Sequence, residues 1–223
     1  MVYGPWSMVG YQGSDPGPVG LMGLVLVTSL LHHSVPLKNR EMPVETEIKV
    51  QVPMDVVEAT RVAWGWSLEH PRTFEDNVLW DTPGGDLRAR GELLRLRRYG
   101  DTVTLTWKGQ PDEDPAFKRR PELEVTVSDD AVVAAILRRL GLTVWFRYQK
   151  YRTLYRHGDV HIAVDETPLG VYVELEGPPE AIEASLRAFR WEAWPRTTAT
   201  YYEIFQAAVR EGRWVRADLT FGD

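Results

Sequence analysis

From Val44 onward, polar and apolar positions along the chain switch between period two and a period near 3.6, which predicts strands interleaved with helices. Glu45 to Val52 alternates and predicts a strand that Pro53 terminates. Met54 to Leu68 follows as a predicted helix, and Leu79 to Asp81 ends a second strand at the turn Thr82-Pro83-Gly84-Gly85. Leu93 to Tyr99 and Val103 to Lys108 form a predicted hairpin about Gly100-Asp101. The polar stretch Gly109 to Ala116 reads as a loop, and Pro121 to Val127 alternates again. Ser128 is the expected cap of a helix that runs to Leu140 and stops at Gly141. Three further strands, Val144 to Arg156, Val160 to Asp165 and Val171 to Glu176, turn at His157-Gly158-Asp159 and Pro168-Leu169-Gly170. Two helices finish the pattern: Pro178 to Arg190, opened by paired prolines, and Thr198 to Arg210.

Composition changes this picture mainly at the ends. Residues 1–41 are rich in Gly and Pro and carry no Lys or Arg before Lys38. Their apolar run, Val19 to Leu31, is shorter than the roughly 20 residues that a membrane span needs. The basic residues Lys38 and Arg40 follow that run, whereas an export signal places them ahead of it. The expected organisation is therefore an N-terminal extension over 1–41, either an upstream leader or the result of an early start with Met42 opening the functional chain. A folded domain is expected over 42–212 and a tail over 213–223. The 223 residues can bury roughly 70% of their unfolded surface, enough for a hydrophobic core, and the absence of cysteine excludes disulfides and thiolate-bound zinc. A net charge of −6 argues against broad contact with nucleic acid or anionic membrane and leaves room for a local basic pocket.

The informative feature is that charged residues recur two apart in strand after strand, which places them on one face. Glu45, Glu47 and Lys49 lie opposite Thr46, Ile48 and Val50, and Arg95 with Arg97 lies opposite Leu94 and Leu96. Glu122 and Glu124 oppose Leu123 and Val125, and Glu174 and Glu176 oppose Val173 and Leu175. Lys150 and Arg152 make a further pair on a mixed face, while Lys108 and Asp165 add single charges at strand ends. Any one of these strands reads more readily as half of a solvated sheet, but that reading weakens for like charges set side by side in strand after strand. Two carboxylates about 6.6 Å apart along a strand repel by roughly 2.5 kcal/mol at an effective dielectric near 20. In a closed barrel the polar face becomes a lumen, where acidic pairs call for cations and clustered Arg and Lys call for an anion of several closely spaced charges. Carboxylates suit Mg²⁺ or Mn²⁺, and guanidinium groups grip phosphate oxygens in pairs.

Eight short motifs, in order, resemble those of the CYTH superfamily, the triphosphate tunnel metalloenzymes. They are Glu45-Thr46-Glu47-Ile48-Lys49, Trp80-Asp81-Thr82-Pro83, Leu94-Arg95-Leu96-Arg97, Thr106-Trp107-Lys108-Gly109, Arg120-Pro121-Glu122-Leu123-Glu124, Lys150-Tyr151-Arg152, Val164-Asp165-Glu166 and Val173-Glu174-Leu175-Glu176-Gly177. The resemblance covers Pro43 to about Arg210. It implies an α+β fold: an eight-stranded antiparallel β-barrel, open as a tunnel, with helices packed outside. It further implies Glu45, Glu47, Asp165, Glu174 and Glu176 as ligands of Mg²⁺ or Mn²⁺, and Lys49, Arg95, Arg97, Lys108, Arg120, Lys150 and Arg152 as holders of a triphosphate. Glu45, Glu47, Lys49 and Glu176 are the catalytic candidates among them. Glu122 and Glu124 could bind a second metal or orient the arginines. The family's Ser-Tyr near the end is Thr200-Tyr201 here, which keeps the hydroxyl.

The implied activity is metal-dependent hydrolysis of a triphosphate-containing small molecule: inorganic triphosphate, thiamine triphosphate or a nucleotide. The alternatives are a class IV type adenylyl cyclase using the same site and a noncatalytic polyphosphate-binding or nucleotide-binding module. Such substrates, with no convincing export signal, favour the cytoplasm. His157 and His161 have the spacing of helical zinc ligands, but Gly158-Asp159 between them reads as a turn. Trp64 and Trp66 are expected to pack against the barrel, and Asp112-Glu113-Asp114 reads as a solvated loop.

Overall fold

The computed structural model describes residues 42–222, so the expectations for residues 1–41 lie outside the described residues. Eight strands close on themselves: β1 (Val44–Val50), β2 (Ser67–Asp81), β3 (Leu93–Tyr99), β4 (Thr102–Lys108), β5 (Lys118–Val127), β6 (Thr143–His157), β7 (Val160–Thr167) and β8 (Gly170–Glu176). Around the barrel they run β5-β4-β3-β2-β6-β7-β8-β1, and β1 returns to β5 through Val44↔Pro121, Glu45↔Arg120 and Glu47↔Lys118. Every neighbouring pair is antiparallel. A two-residue strand, β9 (Arg196–Thr197), adds beside the end of β1.

Closure inverts the usual arrangement: much of the apolar core lies outside the barrel and charge lies within it. Ile48, Val50, Ile162, Val164, Val173 and Leu175 point outward and are buried beneath α1 (Met54–Trp64) and α4 (Pro179–Phe189), which contribute Val57, Ile182, Leu186 and Phe189. Each such aliphatic side chain contributes about 1.5–3 kcal/mol on burial. On another side, Trp80, Leu96 and Val103 are covered by Leu137 of α3 (Asp130–Arg139). One end of the barrel is filled by Leu79, Phe146, Tyr148 and Tyr172 under Tyr201 and Ile204 of α5 (Tyr201–Arg210). The residues after α5 return to β6, where Leu219 is fully buried and exchanges backbone hydrogen bonds with Arg147 and Gln149.

Several boundaries differ from the sequence reading. The first helix stops at Trp64 because Gly65 takes a left-handed conformation, φ 61°. Trp66 is therefore not helical; it is buried among Tyr155, Phe189 and Trp191, while Trp64 remains substantially exposed. β2 begins at Ser67 and is long, with register irregularities on either side of His70 that a regular alternation cannot reveal. The cap of α3 is Asp129, whose carboxylate accepts from the Val132 N–H, instead of Ser128. α5 opens with a reciprocal capping box between Thr200 and Glu203. A short helix, α2 (Asp86–Ala89), follows the Thr82-Pro83 turn.

Candidate active site

The lumen holds a cavity of about 850 Å³. Its lining includes Glu45, Glu47, Lys49, Arg95, Arg97, Lys108, Arg120, Glu122, Glu124, Lys150, Arg152, Glu174 and Glu176. Strand alternation places them there, and pairing between strands sets who faces whom.

The basic side is built by β3, β5 and β6. Arg97 donates to both oxygens of Glu124 at 3.1 and 3.2 Å, and the Thr106 hydroxyl donates to the same carboxylate at 2.7 Å. Arg95 lies 3.7 Å from Glu124. Glu124 is thus paired with both arginines, the arrangement that the second of the two roles open to it from sequence would need. Arg95 Nε and Arg120 Nε are buried and have no hydrogen-bond partner. Lys118, which the sequence reading did not include, also points into the cavity, with Glu47 at 3.8 Å as its counter-charge. Burial, with Lys49 and Arg120 nearby, pushes its ammonium down to about 7 against the pull of Glu47. The predicted strand began at Pro121; carrying its alternation back through Arg120 reaches Lys118.

The acidic side lies on β1 and β8. Glu47 and Glu176 are directly opposite one another, a like-charge pairing that destabilises a sheet without a cation. Lys49 faces Glu174 across the same pair of strands and is held by Glu47 at 2.9 Å and Glu174 at 3.3 Å. Lys108 lies between Glu45 and Glu122, the latter at 2.8 Å. Burial raises Glu45 to about 7; Lys108 opposes this, while Glu47 and Glu122 add to it. Glu176, at the exposed rim, has a carboxylate with no ion pair or side-chain hydrogen bond among the described residues. Its carboxyl is raised by the surrounding protein wall and, against Lys108, by Glu47, Glu174 and Glu122.

Asp165 departs from the expectation drawn for it. It is wholly buried, does not line the cavity, and both its oxygens are taken by Lys150 at 2.8 Å, by Arg152 at 2.6 Å and by the Tyr201 hydroxyl. Glu75, also fully buried and absent from the sequence-derived set, lies 3.4 Å from Lys150 and 3.8 Å from Arg152. Asp165 and Glu75 are the anionic supports of Lys150 and Arg152. Arg152 additionally grips Glu174 at 2.6 Å, so that cations separate the acids. Among the described residues, no three carboxylates or histidines are gathered at metal-binding distance. His161 pairs with Glu69 at 2.9 Å and is not among the residues that line the cavity.

Comparison with known proteins agrees with this construction. A protein of Methanocaldococcus jannaschii provisionally named an adenylate cyclase is 29% identical over 106 residues, covering 47% of this chain and 60% of that relative's length. Among solved structures, the PH1819 protein of Pyrococcus horikoshii OT3 superposes with a TM-score of 0.63 at 26% identity, over 73% of this chain and 98% of its own. A Hippeastrum protein, described as a provisionally named adenylyl cyclase with a dominant triphosphatase activity, shares the fold at a TM-score of 0.58 and 18% identity, over 79% of this chain and 99% of its own. The family model for the CYTH domain matches residues 43–193, and with the charge-lined barrel in place the chain belongs to that family.

Proposed function

We propose that the protein is a divalent-metal-dependent phosphohydrolase that takes the triphosphate group of its substrate into the lumen. The observation that carries this reading is the double imbalance of the cavity. Its basic side holds buried donors on Arg95 and Arg120 without partners and a Lys118 depressed to about 7, which is the environment of a site built for a polyanion. Its acidic side sets Glu47 opposite Glu176, whose carboxylate has no ion pair among the described residues, and holds Glu45 raised to about 7 even beside Lys108, hard oxygen donors of the kind that suit a divalent cation. Glu45, Glu47 and Glu176 would hold Mg²⁺ or Mn²⁺, with Glu174 joining once released by Arg152. When bound there, the ion supplies charge neutralisation and polarisation of the reacting phosphate.

The chain's own residues perform the rest. Arg95, Arg97, Lys118 and Arg120 fix phosphate oxygens from one wall, and Lys108, Lys150 and Arg152 do so from the others. Positioning and electrostatic stabilisation are most of what phosphoryl transfer asks of a protein. Lys49 stays charged between Glu47 and Glu174, whose attraction outweighs the cost of burial and raises its pKa. It thereby fixes a positive charge at the boundary of the two sides.

The names of the Methanocaldococcus and Hippeastrum relatives support a second reading, in which the same site cyclises ATP. Product analysis separates the two: with Mg²⁺ or Mn²⁺ and ATP or inorganic triphosphate, orthophosphate release is expected, whereas cyclic AMP with pyrophosphate would overturn hydrolysis in favour of cyclisation. Glu47→Gln and Glu176→Gln should lose at least about 100-fold in turnover at saturating substrate. Tight binding without turnover by the unaltered protein would make it a binding module, and full turnover by both variants would refute the metal assignment. From the substrate class we infer a cytoplasmic location. Among the described residues, no helix is long and apolar enough to cross a membrane.

A further inference from the structure

One irregularity in the barrel is unused by triphosphate chemistry. Leu79 pairs with Phe146 and Trp80 with Val144, so Trp145 is the extra residue of a β-bulge in β6. Along β6, Tyr148, Lys150 and Arg152 line the lumen, and strict alternation from them turns Trp145 outward. The bulge breaks that alternation. Trp145 instead joins Phe146 in the cluster at the α5 end of the barrel and lines the cavity. Bulges commonly re-aim a side chain beside a functional site.

The surroundings of Trp145 are organised around its ring. The Arg88 guanidinium lies 4.3 Å from the indole centroid and is anchored by Asp81 at 2.9 Å. Asp81 is itself fixed by N–H groups of Thr82 and Leu87, so the Thr82-Pro83 turn and α2 serve to place this cation. On another side, Tyr202 of α5 meets Trp145 edge-on at 4.5 Å, and its hydroxyl accepts from Gln206 at 3.0 Å. All four side chains line the same cavity as the phosphate-gripping residues.

Inorganic triphosphate gains nothing from an indole. A planar, neutral heterocycle stacks on both indole and guanidinium surfaces. A positively charged ring would meet Arg88 as a like charge. Building on the triphosphate reading above, we propose that Arg88, Trp145 and Tyr202 form a shelf for the base of a nucleoside triphosphate whose phosphates extend toward Arg95 and Lys150.

The test is equilibrium binding to the full chain, with Mg²⁺ present, of two probes: inorganic triphosphate and the β,γ-imido analogue of ATP. The readout is the ratio of the two dissociation constants in the unaltered protein, Trp145→Ala and Trp145→Phe. Loss of a stacking surface should shift the ratio against the nucleotide by about tenfold in Trp145→Ala, with Trp145→Phe retaining most of the preference. A ratio unchanged in Trp145→Ala, or one lost equally in Trp145→Phe, would overturn the shelf. Binding of inorganic triphosphate with no nucleotide preference in the unaltered protein would overturn the shelf alone, whereas binding of neither probe would remove the triphosphate reading beneath it.

Discussion

Replacing Glu75 by Gln removes a negative charge from the floor of the lumen while keeping its shape. Glu75 is fully buried, 3.4 Å from Lys150 and 3.8 Å from Arg152. Burial by itself would raise its carboxyl, but Lys150, Arg152, Arg97 and Arg95 outweigh burial and hold it at about 2, against an ordinary 4.5. Each pH unit of that difference carries about 1.4 kcal/mol, so the ionised group stabilises the fold by about 3 kcal/mol. The same order follows from breaking a buried ion pair, about 3–5 kcal/mol. The sign is that of a depressed acid. The unfolded chain takes up the proton first as pH falls, so the contribution is complete above the ordinary value of 4.5 and is lost as pH falls through about 2. Urea unfolding of the two proteins, followed by tryptophan fluorescence from about pH 7 down to about pH 3, should show a stability gap near 3 kcal/mol that closes toward the acid end. A gap below about 1 kcal/mol at neutral pH, or one that does not change with pH, would refute the assignment of Glu75 as the ionised support of Lys150 and Arg152.

Lys118, at about 7, is largely neutral in mildly alkaline solution, and a bound polyanion draws its proton back. Binding of inorganic triphosphate without metal should therefore take up a proton, measured by calorimetry in buffers of different ionisation heat; equal uptake by Lys118→Met would contradict this. Arg120 carries a buried Nε without a partner and lies 3.8 Å from Glu45. Arg120→Met should weaken triphosphate binding by at least about tenfold while leaving the thermal midpoint unchanged or higher, since its burial costs stability. A lower midpoint with unchanged affinity would show Arg120 to be structural.

The lumen was legible in the sequence wherever alternation was regular. Glu45-Thr46-Glu47-Ile48-Lys49 and Val173-Glu174-Leu175-Glu176 announce their inner faces because Ile48, Val173 and Leu175 leave only one side for the core. Glu75 and Asn77 were not legible, because the first half of β2 passes through Pro71 with shifted register and does not alternate. Trp145 escaped for a related reason: a bulge reverses parity without altering composition. Asp165 was found as a charge on the correct face, but its partners come from β6 and α5, and spacing along one strand cannot tell a carboxylate that awaits a metal from one already saturated by Lys150, Arg152 and Tyr201.

The seam at β1 has a consequence for how the molecule is made. The first stave leaves the ribosome long before either neighbour: it must wait for Lys118–Pro121 on one flank and for Val173–Glu176 on the other. Contacts so distant along the chain are slow to form. Until β8 emerges, Ile48 and Val50 belong to an unfinished edge with greasy side chains, the moment at which a nascent chain is most open to mispairing with its neighbours. Assembly is therefore settled late, by the last of the eight staves to be synthesised.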